Sequence, residues 1–553
     1  MKISLCQINL KISDLKYNIK KIKKFYDSEF ANADLVIFPE LSLTGYLLKD
    51  LVNDVNFLDE VLKFKAKVVE FTKEKKCALL FGCPVLKNDK VFNSVIIACD
   101  GEEIFSADKH ILPNYGVFNE PRNFSKAEEE PTIFEFRGEK LGILICEDAW
   151  HDDLPNILFS KGATLFIIVN ASPYDLDKQK ARLKIANNIV KKYNKPVAYL
   201  NNFGGYDELV FDGGSFVMDK CGNFINEPSL WDEGVLTFDS KSANLKINDR
   251  NIKIYCEEEN IYQALVLSVK DYFKKNKFTK AVLGLSGGID SALVAIIAAD
   301  ALGLGNVKSV ILPTEYNSDE SMKYALELVH NIGCEKLIMS IDALLDKFNN
   351  TLKTSSNSQK LKKITIQNLQ ARIRAVLLMA ISNEENSLLL ATSNKSESAV
   401  GYTTIYGDMC GGFAPIKDVY KTQVYKLADW RNKNIPIGSL CPKLNVIPNF
   451  IIEREPSAEL SHNQKDSDSL LPYEILDTIL YNLLEMGLSH KQISEKTNVD
   501  EATINNVANM IKSSEYKRSQ APIGPKISSK SFNYDRIYPI SYYMSTISFT
   551  TSS

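Results

Sequence analysis

The 553-residue chain lacks the spacings that hold a metal through sulfur or imidazole: its ten cysteines include no CxxC pair, and its five histidines form no HExxH. A zinc enzyme is therefore not expected. No run of eighteen apolar residues is present, whereas a membrane-spanning helix needs about 20. The start, Met1 to Gln7, leads into repeated lysines without the apolar stretch of a secretory signal, so the expectation is a cytoplasmic chain with no membrane partner. An excess of either charge is missing too. The 66 basic and 69 acidic residues leave −3, which gives no general attraction for nucleic acid, and no nucleic-acid partner is expected. Glycine and proline are modest at 26 and 19, which speaks against a disordered chain.

What is present is a globular balance, 45% hydrophobic and 24% charged, with material for real cores. A loose figure of about 150 residues per domain gives three or four domains, and two large ones fit equally. The cysteines mostly lie in apolar runs such as Val95 to Cys99, the mark of reduced, core-filling thiols. Up to about residue 240, short apolar runs recur: Ile3 to Ile8, Ala33 to Pro39, Cys77 to Pro84, Leu141 to Ile145, Thr164 to Val169 and Pro196 to Leu200. Each is the length of one buried strand. Leu15, Ile19, Ile22 and Tyr26 stand at helical spacing, and the lysines from Lys20 to Lys24 form that helix's solvated face.

From 240 to 260 the pattern dissolves into polar and acidic residues. The expected division is therefore a domain at 1–245, a linker at 246–260 and a second domain at 261–553. The second reads as a helix from Ile261 to Phe273, a strand from Ala281 to Leu285, a glycine turn, a helix from Ser291 to Leu302, and strands at Lys308 to Leu312 and Leu388 to Ala391. Strand, helix, strand predicts a parallel sheet and an α/β fold. Thr354 to Lys363 is a polar break.

Three residues in the first half stand where a buried strand gives way to polar chain: Glu40 after Leu35 to Pro39, Lys109 in Asp108-Lys109-His110, and Cys146 after Leu141 to Ile145. Strand ends carry chemistry in layered α/β folds. A cation near a thiol favours thiolate, and a carboxylate can take its proton during attack. Glu, Lys and Cys in this order, in the contexts Phe38-Pro39-Glu40-Leu41 and Ile145-Cys146-Glu147-Asp148, resemble the nitrilase superfamily. Lys109 to Phe118 and Asn170 to Pro173 narrow the resemblance to the glutaminase domain of glutamine-dependent NAD synthetases. It implies a nitrilase-like α-β-β-α sandwich, Glu40 as general base, Lys109 stabilising the tetrahedral intermediate and Cys146 forming a glutamyl thioester. It further implies that Tyr115, Ser172 and Lys178 hold glutamine and that Glu120 helps position the site.

The second motif is Gly284-Leu285-Ser286-Gly287-Gly288-Ile289-Asp290-Ser291, between a strand and a helix. Its glycines let backbone N–H groups converge on an anion at a helix N-terminus. The spacing is neither GxxxxGK[ST] nor GxGxxG. An Asp in a phosphate cradle calls for a cation, and Mg2+ suits it. Ser286 to Ser291 resembles the PP-loop of the N-type ATP pyrophosphatases, which use ATP as co-substrate on a Rossmann-like parallel sheet and need no prosthetic group. By itself that loop leaves NAD, GMP, argininosuccinate and tRNA-modifying members open. Gln367 to Arg374, Tyr406-Gly407-Asp408, Pro415 to Lys421 and Tyr516 to Lys526 are similar to NAD synthetases. That similarity implies Mg2+ on Asp290 and Glu397, Thr392 facing the nucleotide, Lys421 near ATP phosphate, and Asn368, Glu397 and Lys526 contacting deamido-NAD. It also implies a homo-oligomer, because nitrilase-type domains assemble through extensive faces.

Gly487 to Ile504 has the outline of a helix-turn-helix. Residues 470–515, however, carry seven acidic and three basic side chains, where a DNA reader should be basic; we read these helices as support for the tail. Two other readings stay open at this stage: an amidase whose second half serves another carboxylate or a tRNA, and a chain with one half reduced to a binding module. Intact Glu40, Lys109, Cys146 and Asp290 weigh against the latter.

Overall fold

The computed structural model describes residues 1–225, 230–241, 255–355, 361–457, 459–461 and 465–541. Residues 246–254 of the expected linker and 356–360 of the polar break lie outside the described residues. Two compact units emerge. One is Met1–Lys277 with Pro436–Gly438 and Pro525–Ile527; the other is Phe278–Ile435, Ser439–Gly524 and Ser528–Ser553.

The first unit contains strands β1 (Lys2–Gln7), β2 (Leu35–Ile37), β3 (Ala78–Lys87), β4 (Lys90–Cys99), β5 (Glu102–Asp108), β6 (Ile133–Phe136), β7 (Glu139–Ile145), β8 (Leu165–Val169), β9 (Val197–Leu200), β10 (Phe203–Tyr206), β11 (Leu209–Asp212), β12 (Phe216–Met218), β13 (Phe224–Ile225) and β14 (Gly234–Asp239). Two six-stranded sheets form, ordered β14-β1-β2-β3-β4-β5 and β13-β12-β9-β8-β7-β6. Strand periodicity explains the layering. In β8, Leu165, Ile167 and Val169 join Leu141, Ile143, Ile3, Leu5, Leu80 and Ile97 between the sheets. Phe166 and Ile168 point the other way, into a cluster with Leu154, Leu158, Ala186, Ile189 and Val190. Burial on both faces is why these strands read as unbroken apolar runs. Helices α1 (Leu15–Glu29) and α2 (Val55–Glu70) cover the first sheet, and α3 (Asp153–Ser160) and α4 (Lys178–Tyr193) the second. The result is the α-β-β-α sandwich that the resemblance implied. In α1, Leu15, Asn18, Ile22 and Tyr26 are buried, while Lys20, Lys23 and Lys24 are exposed.

Helix α5 (Glu257–Lys275) packs on the β10–β11 hairpin. Asp271 accepts from Asn9 Nδ2 at 2.6 Å and from the N–H of Gly205 at 2.8 Å, and Lys275 donates to the Gly205 carbonyl at 2.7 Å. These bonds tie α5 to the first unit, which as a compact body runs to Lys277.

The second unit carries one parallel sheet, ordered β17-β16-β15-β18, from β15 (Ala281–Gly284), β16 (Val307–Ile311), β17 (Glu335–Ile338) and β18 (Leu388–Leu390). Chain order reverses at β15, whose neighbours are β16 and β18, so a crevice opens at its carboxyl end. Helix α6 (Ile289–Leu302) follows β15 and is buried on nearly every side. Helices α7 (Asp319–Ile332), α8 (Asp342–Ser355), α9 (Lys363–Glu384), α10 (Lys395–Val400) and α11 (Lys421–Lys433) complete the surroundings. The helix-turn-helix-like pair, His490–Thr497 and Glu501–Ser513, places Ile493, Ile504 and Val507 in a cluster with Leu476, Leu480 and Ala399. It is packing for α10 and the chain that follows. Among the described residues no helix is long and apolar enough to cross a membrane. All ten cysteines are free, but Cys221 and Cys256 are exposed. The core-filling expectation fails for these two because both lie outside the packed strands.

Candidate active site

In the first unit, Glu40 lies beyond β2, Lys109 follows β5 and Cys146 follows β7, each strand delivering its residue to one end of the sandwich. The Lys109 Nζ donates to Glu40 Oε1 and to Glu120 Oε1, both at 2.8 Å. Asn93 Nδ2 donates to Glu40 Oε1 at 2.8 Å, the Ala171 N–H to Glu40 Oε2 at 2.9 Å, and the Tyr46 hydroxyl to Glu120 Oε1 at 2.9 Å. All three charged side chains are withdrawn from water. Burial disfavours the Lys109 ammonium, yet Glu40 and Glu120 outweigh it and hold its pKa well above the ordinary value. Burial first, then the charge of Glu40, pushes the Glu120 carboxyl up to about 7 against Lys109. Its Oε2 is buried without a partner.

Cys146 is buried and has φ +49°, a left-handed conformation uncommon for a residue with a side chain. Burial, then the Glu40 charge, raises its thiol well above normal against the pull of Lys109. The resting group is thus a thiol, and attack needs a base. Asp148 accepts from the N–H groups of His110 (3.1 Å) and Ile111 (2.9 Å) on Oδ1 and from Ile145 N–H (3.2 Å) on Oδ2. Burial raises its carboxyl to about 7 against these bonds.

Tyr115 is half exposed and donates to Glu147 Oε2 at 2.8 Å. Ser172 is buried: its N–H donates to Asn201 Oδ1 at 2.9 Å, and its Oγ accepts from Arg182 Nε at 3.2 Å. Arg182 is itself fixed by both oxygens of Asp212 at 2.8 and 2.9 Å. Lys178 opens α4 with its Nζ 4.8 Å from the centre of the Trp150 ring, and burial lowers its pKa. A partly desolvated cation of this kind can meet a substrate carboxylate.

In the second unit, the loop Gly284–Ser291 lines a cavity of about 550 Å³ at the crevice. Gly287 has φ +80°, and a Cβ there would stand 2.6 Å from the Ser321 carbonyl oxygen. Ser286 Oγ accepts from the Gly288 N–H at 3.2 Å, and Ser291 Oγ donates to the Gly288 carbonyl at 3.0 Å. These short bonds shape the turn so that it ends at the N-terminus of α6, where an anion is favoured.

Asp290, Glu397 and Lys421 line the same cavity. The Lys421 Nζ donates to Asp290 Oδ2 and, at 3.0 Å, to Glu397 Oε1. Burial opposes the Lys421 charge, but the two carboxylates more than offset it and raise its pKa. Burial also pushes the Glu397 carboxyl up to about 8 against Lys421, with Asp290 adding to the rise. Asn394 holds the group together, donating to Asp290 Oδ1 at 2.9 Å and capping α10 by accepting from the Glu397 N–H at 3.0 Å. Two carboxylates beside a phosphate-type cradle suit Mg2+, which takes one or two of them and fills its shell with phosphate and water.

Thr392 and Asn368 line the cavity as well, and Asn368 Oδ1 accepts from Thr404 Oγ1 at 3.0 Å. Lys526 is not among the lining residues. It is grouped with the first unit, and its N–H donates to the Glu208 carbonyl at 2.7 Å. Asn93, Tyr46, Arg182 and the Ala171 N–H join the site without a signal in the sequence, and Asp148 stands in the cysteine's sequence context with nothing there to mark its role. Single polar residues and backbone groups leave no motif, although Asn394, three residues before Glu397, carries the signature of a helix cap.

Residues 2–246 match the family model described as carbon-nitrogen hydrolase, and residues 261–521 match the one described as NAD synthase. The class is therefore an amide hydrolase joined to an ATP-dependent ligase. Over 98% of this chain and 99% of the relative, the sequence is 40% identical to the glutamine-dependent NAD(+) synthetase of Aquifex aeolicus; the Acinetobacter baylyi protein of that name is 39% identical, with 98% of each covered. A solved glutamine-dependent NAD+ synthetase from Acinetobacter baumannii, in complex with ADP, is similar at TM-score 0.77 and 36% identity, covering 98% of both chains. The chain belongs to the glutamine-dependent NAD(+) synthetase family.

Proposed function

We propose that this chain carries out the last step of NAD synthesis with glutamine as nitrogen donor, dividing the work between its two units. At the first, Glu40 takes the Cys146 proton as sulfur adds to the glutamine amide carbon. Lys109 stabilises the oxyanion. The proton leaves with ammonia, and water then hydrolyses the glutamyl thioester to glutamate. Tyr115, Ser172 and Lys178 hold the amino acid end, and Glu120 keeps Lys109 in place. At the second unit, the carboxylate of deamido-NAD attacks the α-phosphorus of ATP and pyrophosphate leaves; ammonia then adds to the acyl carbon and AMP leaves. The Gly284–Ser291 loop, Thr392 and Lys421 bind ATP, and Asn368 and Glu397 bind deamido-NAD; Lys526, outside the cavity lining, is assigned to deamido-NAD by the family resemblance alone. Asp290 and Glu397 would hold Mg2+, which neutralises phosphate charge when bound. A homo-oligomer and a cytoplasmic location, where thiols stay reduced, belong to the same reading.

The observation that carries it is the coexistence in one chain of a buried thiol among Glu40, Lys109 and Glu120 and a glycine cradle that shares its cavity with Asp290, Glu397 and Lys421. Incubation with Mg-ATP, glutamine and deamido-NAD tests it. Glutamate, NAD, AMP and pyrophosphate should all form; glutamate without NAD and AMP would assign the second unit to another acceptor.

A further inference from the structure

We propose that Asp148 is a positioning residue for glutamine hydrolysis, tying the chain that follows Lys109 to the turn that carries Cys146. The proposal rests on the reading that Lys109 and Cys146 perform that reaction. Asp148 is 2% exposed and lies two residues beyond the thiol. Its two oxygens divide between the elements. Oδ1 accepts from His110 and Ile111, the two residues directly after Lys109, at 3.1 and 2.9 Å. Oδ2 accepts from Ile145, the residue directly before Cys146, at 3.2 Å.

A carboxyl group offers two acceptor oxygens, and here they serve three N–H donors on two separate segments at once. The need for a tie is local. Cys146 sits at φ +49°, a region that a residue with a Cβ leaves unless its surroundings hold it. Lys109 is fixed at its head by Glu40 and Glu120 and at its N–H by the Asn93 carbonyl at 2.8 Å. Its position relative to the thiol is then set by the carboxylate that spans the two segments. Asparagine would keep one acceptor but turn an N–H2 toward a donor, so the nearly isosteric change breaks one side of the tie.

Asp148→Asn and Asp148→Ala in the full-length chain test this, with three readouts: glutamate release with varied glutamine, NAD formation from added ammonium, and thermal melting. A displacement of about 1 Å costs about 100-fold in rate. For Asp148→Ala the expected result is a loss of about that size in kcat for glutamine, with KM within about threefold and ammonium-supported synthesis retained; for Asp148→Asn it is a smaller loss of the same kind. An unchanged kcat, or a rise in KM alone, overturns the proposal. So does a parallel loss of ammonium-supported synthesis and melting temperature in both variants, which would make Asp148 a residue of the fold. Cys146→Ala, run alongside, separates the two claims: if it still hydrolyses glutamine, the reading of the site fails whatever Asp148 does.

Discussion

Lys109 donates to Oε1 of Glu40 at 2.8 Å with both side chains fully withdrawn from solvent. The same ammonium reaches Glu120, so it is the cation that makes two neighbouring buried carboxylates tolerable. Removing one partner of a buried ion pair costs about 3–5 kcal/mol because a charge is left uncompensated. Lys109→Met should therefore lower the melting temperature of the full chain markedly and abolish glutamate release. Unchanged melting would mean that the cluster is not held by this charge.

Separate sites predict separable losses. Cys146→Ala should eliminate NAD formation from glutamine and leave formation from ammonium intact, since the ligase cavity contains no part of that residue. Product analysis with each nitrogen source decides it; equal loss from both would mean that the two reactions share one site.

Glu120 gives a pH-dependent signature of known sign. Its carboxyl is raised from 4.5 to about 7 by burial and the like charge of Glu40, so between those values the folded chain keeps a proton that the unfolded chain has lost. Stability from this group is present below pH 4.5 and is lost as pH rises toward 7. Glu120→Gln retains an acceptor for Lys109 and Tyr46 but cannot titrate. Its melting temperature should fall less across that window than the parent's, and identical slopes would show that Glu120 does not carry the proton.

The elements legible in the sequence are those whose side chains face one consistent environment. β7 and β8 are buried on both faces, and α1 alternates buried and solvated positions, so apolar runs and helical spacing mark them. β5 carries no such mark, and β4 carries it only from Val95 to Cys99. β5 is largely exposed, and the buried stretch of β4 adds the polar Asn93 and Ser94 to its apolar residues, so neither strand stands out over its full length although each pairs with its chain neighbour. The site divides in the same way. Glu40, Lys109, Cys146 and the glycine loop stand in recognisable local contexts. Asn93, from within β4, and the Ala171 N–H, from the loop after β8, reach Glu40 only through the tertiary fold. Lys526 is grouped with the first unit and its N–H donates to the Glu208 carbonyl, a tertiary contact without a local signal.

Metal dependence should follow the ligase half alone. Asp290 and Glu397 are the carboxylates that share Lys421, and under the proposed reading Lys109 supplies the positive charge at the first unit. Chelation with EDTA, or Asp290→Asn, should abolish NAD formation from either nitrogen source while glutamate release continues at least in part. If EDTA stopped glutamate release completely and Asp290→Asn did not, the metal would have to act at the first unit.

Gly287 offers the sharpest steric test of the cradle. Its φ of +80° is accessible to glycine at little cost, and an added Cβ would lie 2.6 Å from the carbonyl oxygen of Ser321 on α7. That oxygen belongs to helical backbone and cannot swing aside as a long side chain would. Gly287→Ala must therefore shift the loop, and the backbone N–H groups of the cradle shift with it. Ammonium-supported synthesis should fall by about 100-fold or more, with a raised KM for ATP and an unaltered rate of glutamate release in the absence of ATP. If Gly287→Ala left ATP use intact, the anion would have to be held elsewhere in the cavity, with Lys421 and Arg374 as the cations to examine next, since both line it.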